Sequence, residues 1–307
     1  MQLLQMLRDS YTLESIVSEV SEVEKQARAF SNEIFYFLNQ VRGELILYSY
    51  TGYGQLPASI FYWFSITAKS QKHPVLADVE DAAVYIAPYR DDVSALILST
   101  GEYSKLISGL QAFRTLGVEY RALAPETADE RISAIIKHYS IRTIPYKDKI
   151  KAALLMTLLS FFASSSIYKN ALASRGQRLL GHSSEGFSCT IASFIEKYFS
   201  TVESLLKRER VFLASSKFLE PASLLLTNSI RRAGVLAEYR SLEEAVSSNG
   251  AVLGIFLSTE ERVRREYASL LGDRLIELLF NTDPLEAGVY IALLAYILSR
   301  LIEEGRK

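Results

Sequence analysis

Residues 94–110 read Ser-Ala-Leu-Ile-Leu-Ser-Thr-Gly-Glu-Tyr-Ser-Lys-Leu-Ile-Ser-Gly-Leu, and the fold is decided here. Ala95 to Leu98 is a short apolar run without helical period, the pattern of a strand buried on both faces. From Glu102 onward the apolar residues Leu106, Ile107 and Leu110 recur at helical spacing. Between strand and helix lie Ser99, Thr100 and Gly101. A strand that turns into a helix through small hydroxyl residues aims backbone N–H groups and a helix dipole at one point, where anions bind. The same turn serves equally as a plain helix cap.

Working outward, the segment repeats. Ala251 to Leu257 is a second buried strand ending in Leu257-Ser258-Thr259, and a helix over 260–271 follows. It matches Leu98-Ser99-Thr100 at a separation of 159 residues (257 − 98), with the same element order on both sides. Upstream of the first copy, Leu45–Tyr50 reads as a strand, Thr51-Gly52-Tyr53-Gly54-Gln55 as a turn and Leu56–Lys69 as a helix with Pro57 in its first turn. Val75–Val79 is another strand, 80–92 a connection and Val118–Ala124 a strand. Upstream of the second copy come strand Val211–Ala214, turn Ser215-Ser216-Lys217, a helix over 218–233 with Pro221, strand Val235–Glu238 and a short helix over 241–247. Leu275–Phe280 and a helix from Pro284 to Glu304 close the chain. Short strands alternating with amphipathic helices call for largely parallel sheets covered on both faces. The expected class is α/β, a duplicated pair of parallel-sheet subdomains about a pseudo-twofold axis.

The rest of the chain frames this pair. Residues 12–41 carry Ile16, Val20, Val23, Ala27 and Phe30 on one helical stripe that ends at Gly43. Residues 128–139 and 148–168 read as helices. The glycines and serines of 169–187 read as a linker or mobile loop, and a helix over 188–208 leads out of it. The expected division is N-terminal helices 1–43, a first subdomain 44–168, the linker 169–187 and a second subdomain 188–307.

Composition narrows the function. The 307 residues are 49% hydrophobic and 22% charged, and 34 basic against 35 acidic residues give a net charge of −1. No global field draws the chain to nucleic acid or an anionic membrane, so any anion site is local. The single cysteine, Cys189, excludes an internal disulfide and a cysteine metal cluster. His73, His138 and His182 are too dispersed for a metal site. The N-terminus lacks the features of a signal peptide. The apolar stretch 152–167 carries four serines, and 287–298 spans about a dozen residues, short of the ~18–20 that cross a bilayer, which leaves buried or interface helices and a cytoplasmic protein. Such stripes need a partner surface, so a homodimer is expected. No Gly-x-x-x-x-Gly-Lys loop, third dinucleotide-binding glycine or Gly-x-Ser-x-Gly elbow occurs, and no cofactor is expected.

The layout resembles the double SIS (sugar isomerase) domain family, which includes archaeal bifunctional phosphoglucose/phosphomannose isomerases and the isomerase half of glucosamine-6-phosphate synthase. The resemblance spans about 44–124 and 210–304. Thr51-Gly52-Tyr53, with Tyr62-Trp63-Phe64 behind it, resembles the family's first sugar-binding turn. Leu98-Ser99-Thr100-Gly101-Glu102-Tyr103 falls where the family has Ser-x-Ser-Gly-x-Thr. Asn281-Thr282-Asp283-Pro284 resembles the family's C-terminal Val-Asp-Pro-Thr-Pro. The resemblance implies a phosphosugar isomerase of carbohydrate metabolism, its sugar phosphate held by Thr51, Gly52, Tyr53, Ser99, Thr100, Gly101 and Ser104. It departs from the family at Leu98, Thr100 and Tyr103, at Arg231 or Arg232 where the family has its catalytic glutamate, and in the missing histidine within Glu244–Asn249. The alternative is a catalytically silent protein that binds a sugar phosphate or nucleotide-sugar as a sensor.

Aldose–ketose isomerisation needs a base that shuttles a proton between adjacent carbons and an acid that opens the ring. Glu80, after one strand, and Glu238, after another, are candidate bases, and each equally suits a cap or surface position. His182, in Gly181-His182-Ser183-Ser184-Glu185, is a candidate acid on a mobile loop. Lys105, Arg231 and Arg232 are candidate phosphate cations, with ordinary surface roles as the alternative.

Overall fold

The computed structural model describes residues 10–304; residues 1–9, the start of the expected N-terminal helical segment, and 305–307 lie outside them. The described residues pack as two compact units, Val23–Glu185 and residues 10–22 with 186–304.

In the Val23–Glu185 unit a five-stranded sheet runs in the order β2-β1-β3-β4-β5. Its strands are β1 (Leu45–Thr51), β2 (His73–Asp78), β3 (Val93–Ser99), β4 (Glu119–Pro125) and β5 (Arg142–Ile144), all parallel. Alternation sorts the side chains. Leu45, Leu47, Ala95 and Ile97 face one core with Leu106, Leu110 and Phe113 of α3 (Tyr103–Thr115). From the opposite face Tyr48 stacks on Phe61 of α2 (Gln55–Thr67), ring centroids 5.5 Å apart. Helix α1 (Ser10–Gln40) buries Ile16, Val20, Val23 and Ala27 of the stripe read from the sequence, whereas Phe30 is only half-buried. Helix α4 (Glu130–His138) links β4 to β5, and α5 (Lys149–Tyr168) packs on α2.

Three hydroxyls, two of them buried, join β1, α2 and α5. The Ser65 hydroxyl donates to the Phe61 carbonyl (2.8 Å), so Tyr48 (2.9 Å) and Tyr168 (2.7 Å) both donate to the Ser65 oxygen. Burial holds the Tyr48 phenol well above its ordinary pKa, which keeps it a donor.

The other unit repeats the strand order. Its sheet runs β7-β6-β8-β9, with β6 (Arg210–Ser215), β7 (Leu236–Ser241), β8 (Ala251–Leu257) and β9 (Leu275–Phe280), again all parallel. Strand β8 sits between β6 and β9 as β3 sits between β1 and β4. The equivalence read from the two Leu-Ser-Thr segments is therefore one of topology. The covering helices are α7 (Ile191–Leu206), α8 (Glu220–Arg232), α9 (Leu242–Val246), α10 (Glu261–Leu271) and α11 (Pro284–Glu304). Within this unit α11 lies against α8. Glu19 of α1 accepts from Tyr296 Oη (2.5 Å) and Arg300 Nε (3.0 Å), which fastens the first turns of α1 to α11.

The structure corrects several expectations. Residues 169–187 are not a loop, because α6 spans Ala173–Glu185 and buries Gly176, Leu179 and Ser183 at steps of three and four. Small residues form its packing face, so glycine and serine here mark close approach rather than mobility. The connection 80–92 is helical in part, a turn at Val79–Asp81 running into five residues of π-helix at Ala82–Ile86. Strand β5 is three residues long and ends against Pro145, too short for a periodic signal. Helices α5 and α11 are 20 and 21 residues, long and apolar enough to cross a membrane by length and composition. Burial, not shortness, sets them apart: 83% and 89% of their most apolar windows are inside the protein. Their apolar faces are already covered, so they no longer argue for a partner copy.

Candidate functional site

In open parallel sheets ligands bind beyond the C-terminal ends of the strands. In the Val23–Glu185 unit that edge carries the turns after β1 and β3. Thr51 pairs with Ser99 across the two strand ends. Their hydroxyls hydrogen-bond to each other at 2.8 Å, and both residues are 0% exposed. The Gly101 N–H donates to Ser99 Oγ (3.2 Å), the Tyr53 N–H to Thr100 Oγ1 (2.9 Å), and the Thr100 N–H to the Thr51 carbonyl (3.4 Å). Thr100 is 1% exposed. The hydroxyls of Thr51, Ser99 and Thr100 thus bind the two turns together rather than face outward.

The glycines explain the close fit. A β-carbon on Gly54 would lie 1.8 Å from the Leu98 carbonyl oxygen, so only glycine lets the 52–54 turn settle on the end of β3. Gly101 has φ +109°, a conformation that reverses the chain before α3 begins. Glu102 takes the cap position of α3 without any side-chain capping bond. A helix leaves its first N–H groups without intrahelical partners, so the amides of the Tyr103–Ser104 turn stay available. Ser104 is exposed beside them. The Tyr103 ring flanks Gly101, and its hydroxyl donates to the Pro125 carbonyl (2.7 Å), which anchors the ring at the side of the corner. Burial raises the Tyr103 pKa.

Cations divide differently from the expectation. Lys105 Nζ lies 4.0 Å from Glu102 Oε2, and Glu102 Oε1 lies over Gly52. Lys149, the first residue of α5, instead lays its Cε 3.6 Å from the point where a β-carbon on Gly101 would be. Arg231 donates to the Ala237 carbonyl (2.5 Å), and Arg232 to Ser299 (3.0 Å) with Glu303 at 3.8 Å. Both arginines therefore brace α8 within the other unit.

The candidate acid–base residues lie on three separate elements. Glu238 is not past the end of its strand: β7 continues to Ser241, and Glu238 pairs with Phe212 in mid-strand at the edge of the sheet. Arg240 (3.1 Å) and Arg210 (3.5 Å) hold its carboxyl below the ordinary range, the opposite of what a base requires. His182 lies in the last turn of α6, not on a mobile loop. Glu80 begins the turn after β2 with its N–H on Asp78 Oδ1 (2.9 Å) and its side chain exposed. It follows the end of β2, which pairs with β1 just before Thr51. The segment Asn281–Pro284 caps α11: Asp283 Oδ1 accepts the Leu285 N–H (3.0 Å), and Thr282 bonds Glu286 at 2.7 Å.

At the corresponding corner of the other unit, Ser258–Glu260 forms a 3₁₀ turn. Glu260 Oε2 accepts the Leu257 N–H at 2.9 Å, so a carboxylate of the chain itself occupies the strand end. Two open cavities, about 480 and 580 Å³, lie away from these corners. The first is lined by Leu38, Ala68, Lys72 and Tyr168, where α1, α2 and α5 end, and the C-terminal dipoles of helices disfavour a phosphate. The second lies at the start of β6 and β7, between Arg210, Arg231 and Glu238. Among the described residues no group of three or more His, Cys, Asp or Glu is placed to hold a metal ion.

No family model and no curated protein sequence matches the chain. Solved structures do match. A protein assigned as a phosphosugar isomerase from Silicibacter pomeroyi aligns with a TM-score of 0.67 at 12% identity, over 96% of this chain and 98% of that one. Glucosamine-6-phosphate deaminase from Thermotoga maritima aligns at 0.62 and 16%, over 95% and 94%. The C-terminal domain of glucosamine-fructose-6-phosphate aminotransferase from Francisella tularensis aligns at 0.61 and 11%, over 95% and 96%. At these identities what is shared is the fold: two parallel α/β sheets flanked by helices.

Proposed function

We propose that the chain binds a sugar phosphate at the C-terminal edge of the Val23–Glu185 sheet, the phosphate resting on the N-terminus of α3. One observation carries the reading. Buried hydroxyls and glycines at 51–54 and 99–101 hold a corner whose first helical amides are left without a side-chain cap. Thr51, Ser99 and Thr100 shape this turn, Gly52, Tyr53 and Gly101 form its rim, and Ser104 offers an outward hydroxyl. The sugar-phosphate names of the fold's relatives support the same ligand class.

A second reading, aldose–ketose isomerisation, is favoured by Glu80, the one candidate base at this edge. Titration calorimetry with fructose 6-phosphate, glucose 6-phosphate and mannose 6-phosphate, beside an isomerase assay on the same sugars, separates the two. Saturable binding without turnover is expected of a sensor. Turnover abolished by Glu80→Gln establishes the isomerase, and absence of both binding and turnover overturns the proposal.

A further inference from the structure

We propose that Lys149 supplies the counter-charge for the phosphate at the 99–104 corner, an assignment that rests on the sugar-phosphate reading above. The hydroxyls of Ser99 and Thr100 are buried and engaged within the turn, so the corner itself offers backbone N–H groups and one outward hydroxyl. A phosphate ester carries close to two negative charges near neutral pH, more than amides alone balance, and charge-assisted bonds are the strong ones. The cations nearby on the chain differ in what they already hold. Lys105 is drawn to the Glu102 carboxylate, and Lys151 Nζ lies 4.7 Å from the centre of the Tyr146 ring. Lys149 is exposed and makes no side-chain hydrogen bond or ion pair among the described residues.

The position of Lys149 is built into the fold. Asp148 caps α5, its Oδ1 accepting the N–H groups of Ile150 (3.0 Å) and Lys151 (2.8 Å), which fixes where the helix starts. Helix α5 packs against the Gly52–Gly54 turn. Its first side chain therefore lies beside Gly101, with Cε 3.6 Å from where a β-carbon there would be, an ordinary packing distance. In the proposed complex the ammonium, one bond beyond that carbon, turns toward the phosphate at the start of α3. Lys149 lies 48 residues past Gly101 (149 − 101), on an element that no local motif connects to the turn.

Calorimetric titration of fructose 6-phosphate, glucose 6-phosphate and mannose 6-phosphate at two salt concentrations tests this on the full chain. Lys149→Met is expected to weaken binding by about 10- to 100-fold and to flatten its salt dependence, with the thermal midpoint of the ligand-free protein unchanged. Lys149→Arg is expected to restore most of the affinity, and Lys105→Met to change it less than about twofold. Wild-type binding matched by Lys149→Met overturns the Lys149 assignment alone. A fall in the ligand-free midpoint equal to the loss of affinity also overturns it, by making the residue structural. A wild-type protein that binds none of the three sugars overturns the functional reading and this assignment together.

Discussion

The corners after β3 and β8 begin with the same three residues and end differently. After Leu98-Ser99-Thr100 comes Gly101, whose φ of +109° carries the chain around before α3 starts at Tyr103. After Leu257-Ser258-Thr259 comes Glu260, which enters a 3₁₀ turn and returns its carboxylate to the Leu257 N–H. One corner turns through a glycine, and the other folds its own carboxylate onto its strand end, while neither following helix carries a side-chain cap. The difference teaches that the strand–turn–helix frame is only a scaffold for an anion site. The residue after the threonine sets whether a carboxylate of the chain lies at the strand end.

The largest expected effect follows from removing the close approach on which the open corner depends. Gly54→Ala places a β-carbon 1.8 Å from the Leu98 carbonyl oxygen, backbone against backbone. We expect a loss of about 3 kcal/mol or more in urea denaturation, and no sugar-phosphate binding. Next comes Ser99→Ala combined with Thr100→Ala, which unties the two turns while leaving the glycines in place. Binding should weaken by about 1–3 kcal/mol in calorimetry. Unchanged affinity would mean that the corner keeps its shape without these hydroxyls.

The closed corner gives the control. Glu260→Ala removes the carboxylate from Leu257 and should cost about 1 kcal/mol of stability, the usual worth of a cap. Sugar-phosphate affinity and stoichiometry should not change. The smallest effect concerns acid. Hydrogen bonds from Arg264 and then Arg265 pull the Glu261 carboxyl from about 4.5 down to about 2. A lowered folded-state pKa stabilises the protein above the unfolded value and loses that contribution as pH falls through the folded one. Between about pH 4.5 and 2 the wild type should lose stability more steeply than Arg264→Met, measured by thermal unfolding across that window. The pair is half-exposed, so screening keeps the effect small.

Much of the frame was legible because it is written in period. Strands β8 and β9 and helix α11 have the bounds that alternation and Pro284 imply, and the two Leu-Ser-Thr segments correspond in topology. What escaped was structure without period. Strand β5 spans three residues, α6 packs through Gly176 and Ser183, and the π-helical stretch Ala82–Ile86 obeys neither helical nor strand spacing. The candidate site was legible in place and not in role. Ser99 and Thr100 stand at the expected corner, yet nothing in their spacing tells which way a hydroxyl points, and here they point inward. Lys105 is near in sequence and engaged with Glu102, whereas Lys149 is far in sequence and beside Gly101. Side chains brought together by tertiary packing leave no local signal.

The central claim, that the open corner alone receives the phosphate, is tested most directly by a crystal structure grown with fructose 6-phosphate. The account expects the phosphate against the Tyr103–Ser104 amides with Lys149 turned toward it, and the Leu257–Glu261 corner still held by Glu260. A phosphate seated at the β8 corner, or in the cavity beside Lys72 and Tyr168, would contradict it.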